Sequence, residues 1–197
     1  MIKIIHRVNK VTDLKKVMTT NGVEIDLRSR NNEIILHHDP FENGVKFKDW
    51  LKHYKHRFMV LNVKEEGLEK KIVKILKKNR IKNYFFHDQT FSSLLKNMNK
   101  VKVSLRFSEY EELKKTNFLF KNIKWLWVDN FTEFPLRDKF YKYLKKNKVK
   151  ICLVSPELVK KKRIIKVKKL IKFLKINKFK INAVFKNIHD QWKNVQF

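Results

Sequence analysis

The amino-acid sequence predicts an α/β protein, a compact (β/α)8 barrel of the TIM type with a small β-hairpin arm after its second strand. Three observations lead there. Short apolar runs alternate with amphipathic stretches along the whole chain, the rhythm of strands followed by packed helices. About eight such units can be counted, the number that closes a barrel. With three glycines and three prolines in 197 residues, no flexible linker divides the chain, so one domain over residues 1–197 is expected. Barrels of this kind more often take about 250 residues, so the connections must be short. A doubly wound open sheet shares the same alternation, because strand order is not written in a sequence.

The elements follow in order. Residues 2–6 read as the first strand. Val11, Leu14, Val17 and Met18 then share one helical face, with Thr12 placed to cap it. Residues 22–28 form the second strand, 29–32 are polar and turn-like, and 33–37 return as the arm. Residues 57–64 are the third barrel strand, and Leu68, Ile72, Ile75 and Leu76 make a helical stripe behind it. Strands are expected at 83–87, 102–107, 123–129, 149–154 and 181–185. Helices are expected at 91–98, 108–115 with Ser108 as cap, 137–146, and about 161–174. Trp125 and Trp127 alternate along one strand face and read as core.

Composition narrows the class. Hydrophobic residues are 43% and aromatics 13%, which opposes disorder. The single cysteine, Cys152, permits no internal disulfide and no Cys-based zinc cluster. No apolar run reaches the ~18 residues of a membrane span, and the first residues lack the apolar stretch of a signal peptide; a cytoplasmic protein is expected. The net charge of +29 invites a nucleic-acid reading. Lysine far outnumbers arginine, however, whereas base recognition favours arginine forks. The Lys, Asn, Ile and Phe richness is what an AT-rich coding sequence produces. No specific nucleic acid is expected, although the charge would draw anionic substrates or surfaces.

Four polar clusters fall at strand ends, where barrel enzymes place their chemistry: His6-Arg7, Glu24-Ile25-Asp26, His37-His38-Asp39-Pro40 and Asn62-Val63-Lys64. Glu24 and Asp26 are two apart, so in a strand they face one side. Two carboxylates inside a barrel repel unless a cation bridges them or one keeps its proton. A hard divalent ion suits such oxygen ligands; an arginine-paired carboxylate is the alternative. His6 and His38 each follow an apolar strand, where two histidines facing one phosphate would serve as general base and general acid, and either alone would be structural. Arg7 and Lys64 suit phosphate oxygens or, otherwise, ion pairs with Glu24 and Asp26. Asp88, beside His87 at the end of the fourth strand, reads as a further pocket group. Arg106, Asp129, Glu157 and Lys186 also stand at strand ends, where structural ion pairs are the simpler role.

The order His6-Arg7, Gly22-Val23-Glu24-Ile25-Asp26, His38-Asp39-Pro40 resembles the signature of the glycerophosphodiester phosphodiesterase family. Later segments resemble one branch of that superfamily: Leu61 to Gly67, Tyr84-Phe85-Phe86 with Asp88, Ser108 to Glu111, and Val154 to Leu158. The resemblance implies a metal-dependent phosphodiester hydrolase with a Mg2+ or Ca2+ ion in the barrel mouth. It implies His6 and His38 as the acid–base pair, Arg7, Lys64 and Asp88 toward substrate, and Glu24, Asp26 and Asn62 toward the metal. Two positions depart from the pattern. Val8 replaces the usual glycine after His-Arg. Asn62 stands where a third carboxylate ligand is usual, and it brings a carbonyl oxygen without charge.

The substrate implied is a small glycerophosphodiester, or a phosphodiester of a surface glycan or lipid. A degenerate barrel that binds a phosphorylated ligand is the alternative, and a basic nucleic-acid-binding protein a more distant one. The segment from Lys160 to Lys180 holds eleven Lys or Arg and no acid. It reads as an outer helix with a charged face, and as a candidate docking face for an anionic membrane surface.

Overall fold

The computed structural model describes residues 1–111, 122–159, 164–187 and 191–195. It divides into two compact units, Ile4–Val103 and Met1–Lys3 with Ser104–Phe197. Among the described residues no helix is long and apolar enough to cross a membrane.

The first unit is built on β2 (Gly22–Arg30). Its leading half lies parallel to the end of β1 (Ile2–Ile5), pairing Ile4 with Gly22, and to β5 (Phe58–Val63), pairing Glu24 with Val60 and Asp26 with Asn62. From Leu27 onward the flank of β2 turns antiparallel to β3 (Glu33–Leu36), Leu27 opposite Leu36 and Arg30 opposite Glu33. The turn between them uses Asn31 and Asn32 at φ 48° and 60°, a conformation asparagine tolerates. β6 (Tyr84–His87) continues the sheet parallel to β5. Strands covered on both faces read as continuous apolar runs, and β2 obeys this with one exception: Val23, Ile25 and Leu27 are buried, and so are the carboxylates between them.

Helix α1 (Val11–Leu14) is a single turn entered at Lys10 with no side-chain cap, so the role expected of Thr12 is not filled. A two-residue strand β4 (Val45–Lys46) and helix α2 (Phe47–Leu51) escaped the sequence reading. Both follow the arm, and α2 buries Phe47, Trp50 and Leu51. Gly44, just before β4, lies so close to the Leu36 carbonyl that a Cβ there would sit 2.4 Å from its oxygen. Helices α3 (Glu69–Lys78) and α4 (Phe91–Asn97) follow their strands, α4 capped by Thr90, whose hydroxyl accepts the Ser93 N–H at 3.3 Å.

The second unit has four parallel strands in the order β7 (Ser104–Phe107), β8 (Trp125–Val128), β9 (Lys150–Val154), β10 (Ala183–Lys186). The Ile2 N–H donates to the Asn182 carbonyl at 2.9 Å. Trp125 and Trp127 are buried, Trp127 against Phe185 with ring centroids 4.6 Å apart. Helix α5 (Asp138–Lys146) lies between β8 and β9. The expected helix at 108–115 does not begin at Ser108: its hydroxyl accepts the Tyr110 N–H and donates to Glu111, closing a turn instead. Residues 112–115 of that expectation lie outside the described residues. The basic helix is α7 (Ile164–Ile176), preceded by a short α6 (Pro156–Val159); residues 160–163 again lie outside.

Candidate active site

The site of the first unit begins where β1 ends. Arg7 adopts φ 53°, which turns its N–H onto Glu24 Oε2 at 2.7 Å. The next N–H, of Val8, donates to the Glu24 carbonyl at 2.8 Å. Left-handed backbone therefore falls on Arg7, and residue 8 is free to carry a side chain. Val8 uses it for packing: it is buried, and its carbonyl accepts the indole N–H of buried Trp50 at 3.1 Å.

Glu24 and Asp26 are both 1% exposed. Glu24 Oε1 accepts the Asn62 amide at 3.0 Å. Asp26 Oδ2 accepts the Asn9 amide at 2.8 Å, while the Asp26 N–H donates back to Asn9 Oδ1 at 2.9 Å. Lys64 Nζ lies 3.5 Å from Asp26 Oδ1, and Arg7 Nε 3.7 Å from Oδ2. Burial, and then the charge of Asp26, pushes the Glu24 carboxyl up to about 7, against the pull of the Arg7 N–H, Asn62 and Lys64. The pair thus behaves as two carboxylates in need of one more positive charge.

Asn62 Oδ1 is buried and has no hydrogen-bond partner among the described residues. Such an orphan acceptor is costly unless a cation or proton donor meets it. Among the described residues no group of three His, Cys, Asp or Glu is assembled for a metal. The donor set is two carboxylates plus this amide oxygen, a fit for a hard divalent cation and a poor one for soft metals.

Lys64, largely buried, also reaches Asp88 Oδ2 at 3.4 Å. Asp88 sits at φ 59° just after β6 and is 40% exposed, whereas His87, opposite Asn62 in the sheet, is buried. Lys64, Asp88, Glu69, Gln89 and Ser93 line a cleft of about 250 Å³. Glu65 turns instead toward the Ser29 hydroxyl of β2, which donates to it.

On the other side, Arg7, Asn9, Lys10, His37, His38 and Asp39 contribute to a wider cleft of about 710 Å³. His38 Nδ1 and Asp39 Oδ1 are 2.7 Å apart, and this hydrogen bond holds the exposed Asp39 carboxyl below its usual range. With the carboxylate accepting, Nδ1 carries the proton and Nε2 is left to exchange one. The peptide carbonyl of His38 accepts two N–H groups of Arg28. His6 stands half-buried at the end of β1 beside Arg7.

The structure therefore joins Arg7, Glu24, Asp26, Asn62, Lys64 and Asp88 in one network and places His38 in the cleft that Arg7 shares. Asn9 and Arg28 were missed by sequence reasoning. Arg28 continues the Glu24, Asp26 alternation and was there to be found; nothing in the sequence singles out Asn9.

In the second unit the strand-end residues make a network of their own. Arg106 Nε lies 2.8 Å from Asp129 Oδ2 and 3.5 Å from Glu111. Trp127 Nε1 donates to Asp129 Oδ1 at 3.3 Å. The Trp192 indole donates to the Ser155 hydroxyl at 2.7 Å, and that hydroxyl donates to Glu157. Lys186 is buried.

Burial raises the Asp129 carboxyl to about 6, opposed by Arg106. A carboxyl raised from 3.8 contributes stability that is whole below about 3.8 and is lost as pH rises through about 6. Asp129→Asn is expected to abolish this component, a difference on the order of 3 kcal/mol between pH 4 and 7. Urea midpoints of both proteins across that range test it; parallel pH profiles would contradict it.

No protein-family model matches the chain, and no curated protein matches it by sequence. Solved structures do match over nearly its whole length. A glycerophosphodiester phosphodiesterase from Thermotoga maritima is 17% identical with a TM-score of 0.67, covering 94% of this chain and 93% of its own. One from Agrobacterium tumefaciens is 9% identical at 0.66, covering 95% and 97%. A phosphodiesterase from Oleispira antarctica, solved with the product sn-glycerol-3-phosphate, is 15% identical at 0.58, covering 94% and 92%. The chain has the fold of the glycerophosphodiester phosphodiesterases.

Proposed function

We propose that this protein is a phosphoric diester hydrolase acting on a glycerophosphodiester or a related phosphodiester of a surface glycan or lipid, within a single (β/α)8 barrel. The observation that carries the reading is the buried Glu24–Asp26 pair with an orphan Asn62 oxygen beside it, flanked by Arg7 and Lys64 and sharing Arg7 with the His38 cleft. The strand–helix alternation and the parallel pairing within each unit support the barrel. Glu24, Asp26 and the Asn62 carbonyl would hold a divalent cation, Mg2+ or Ca2+ by the hardness of their oxygens, and the chemistry it supplies when bound is polarisation of a phosphodiester oxygen.

The remaining work belongs to side chains. Arg7 and Lys64 bind the phosphate oxygens and offset the charge that grows in the transition state. Asp88 braces Lys64 from the solvent side. His38 exchanges a proton through Nε2 while Asp39 keeps its ring oriented, and His6 is the second member of the acid–base pair. One histidine takes the proton of the attacking water or neighbouring hydroxyl, and the other gives a proton to the leaving alkoxide. Hydrolysis of a panel of glycerophosphodiesters with Mg2+, Mn2+ or Ca2+, and with chelator, tests the reading. Turnover that chelator abolishes supports it. A folded protein with no turnover on any of them, yet binding glycerol 3-phosphate, supports ligand binding alone, the reading Asn62 favours by bringing no charge to the cation.

The exposed side of α7 offers a partner for a surface. Lys166, Lys168, Lys169, Lys172 and Lys175 are exposed on the helix that also carries Ile176, 68% exposed, and Phe173, 39% exposed with its ring against Phe134 and Phe179. Basic residues around apolar anchors suit an anionic bilayer, each lysine contributing about 1 kcal/mol. Sedimentation with phosphatidylglycerol vesicles is expected to exceed that with phosphatidylcholine and to fall with salt. Binding indifferent to both would remove the surface.

A further inference from the structure

Beyond Asp26, β2 carries a third charged residue on the same side of the strand, Arg28. Among the described residues its guanidinium pairs with no carboxylate. Nε and Nη2 both donate to the carbonyl of His38, at 3.0 and 2.9 Å, and Nη1 reaches the carbonyl of Lys64 at 3.5 Å. One planar group thus spans two peptide planes, one following β3 and one following β5. They belong to the residues assigned above to proton transfer and to phosphate binding.

The segment that holds His38 needs such an anchor. β3 stops at Leu36, and the chain returns to the sheet only at β4, after Gly44 has closed tightly on the Leu36 carbonyl. Between these points the His38 ring is hydrogen-bonded to Asp39, its sequence neighbour, a bond made within the loop itself. Arg28 donates from β2 to this loop two residues after β3 ends. Arg30, two residues on, likewise donates to the carbonyl of Phe41.

We propose that Arg28 is a positioning residue. Its fork fixes the peptide carbonyls of His38 and Lys64 together and sets where the imidazole meets a phosphodiester held by Arg7 and Lys64. The inference rests on the hydrolase reading for its consequence, but the clamp itself can be observed without turnover. Lysine cannot reproduce it, since a single ammonium lacks the rigid fork that serves two carbonyls at once.

The test uses the full chain with Arg28→Met and Arg28→Lys. Hydrogen exchange is followed at residues 37–44, with the amides of Ile25 and Leu61 as internal controls. Exchange in the loop is expected to rise about tenfold or more in both variants while the strand amides stay protected. On a diester that wild type turns over, Arg28→Met is expected to lower kcat about 100-fold, the cost of roughly 1 Å of misplacement, with KM nearly unchanged. Added guanidinium is expected to restore part of the rate.

Unchanged loop exchange in a variant with protected strands would overturn the clamp. A raised KM with intact kcat would overturn positioning in favour of binding. If Arg28→Met loses protection throughout, Arg28→Lys decides by the same comparison. A wild type that hydrolyses none of the diesters would overturn the hydrolase reading, and the exchange measurement would then decide the clamp alone.

Discussion

Replacing His38 with alanine is expected to lower kcat by about 10²- to 10⁴-fold, the range lost when a positioned acid or base is removed, with little change in thermal stability. The structure separates the two effects. The His38 side chain is 39% exposed, lies on a loop, and is hydrogen-bonded to a neighbour that is itself exposed. Truncating it opens no core cavity and strands no buried donor, so folding is expected to shift by less than about 1 kcal/mol. Phosphate binding through Arg7 and Lys64 does not involve the ring, so KM is expected to move far less than kcat. Asp39→Asn gives a graded comparison, because an amide still accepts from Nδ1 but no longer favours the imidazolium. A kcat for His38→Ala within about threefold of wild type, on a substrate whose hydrolysis needs the intact site, would remove His38 from the chemistry.

What the sequence made legible follows from range. Period-two and period-3.6 patterns are local, so β2, β5 and β8, and the helices α3 and α5 that follow the last two, could be placed to within a few residues. The spacing of Glu24 and Asp26 put both on one side of a strand without any knowledge of the fold. The polar turn at Asn31-Asn32 announced the return of β3. Elements that depend on tertiary support were missed. A five-residue helix such as α2 is unstable alone and exists because Phe47, Trp50 and Leu51 have somewhere to bury. Thr12 and Ser108 had the composition of caps, yet a cap is a geometric relation to later N–H groups. At Ser108 the hydroxyl found Tyr110 and Glu111 instead.

The site was legible in its charges and illegible in its scaffolding. Val8 looked like a defect while a glycine was expected there. In the structure the left-handed residue is Arg7, and Val8 supplies packing and a carbonyl for Trp50. Asn9 acts through amide contacts 17 residues away that no local pattern marks; Arg28 continues the Glu24, Asp26 alternation, and only its carbonyl partner 10 residues on was hidden. The spacing signalled two carboxylates that repel, but the rise of the Glu24 carboxyl comes first from its burial, which only the fold supplies.

Asp26 tests whether this scaffolding serves the fold as well as the chemistry. Asp26→Leu is expected to destabilise the protein by about 3–5 kcal/mol, because it breaks a buried charge network from one side. Lys64, 16% exposed, would keep only its pairing with half-exposed Asp88, and Asn9 would lose its side-chain acceptor against β2. Asp26→Asn retains shape and leaves an oxygen for Asn9, so a smaller loss, about 1–2 kcal/mol, is expected. Both are expected to lose at least about 100-fold in kcat/KM, since neither returns the charge that offsets Lys64 or joins Glu24 in holding a cation. Urea denaturation in chelator gives the stability terms without a contribution from bound metal. Adding Lys64→Met to Asp26→Leu completes a cycle: if the double variant recovers stability but not turnover, the cost lay in an unpaired ammonium and the carboxylate's own role is catalytic. If Asp26→Leu is as stable as wild type, the ammonium has found water, and the network holds the site without holding the fold.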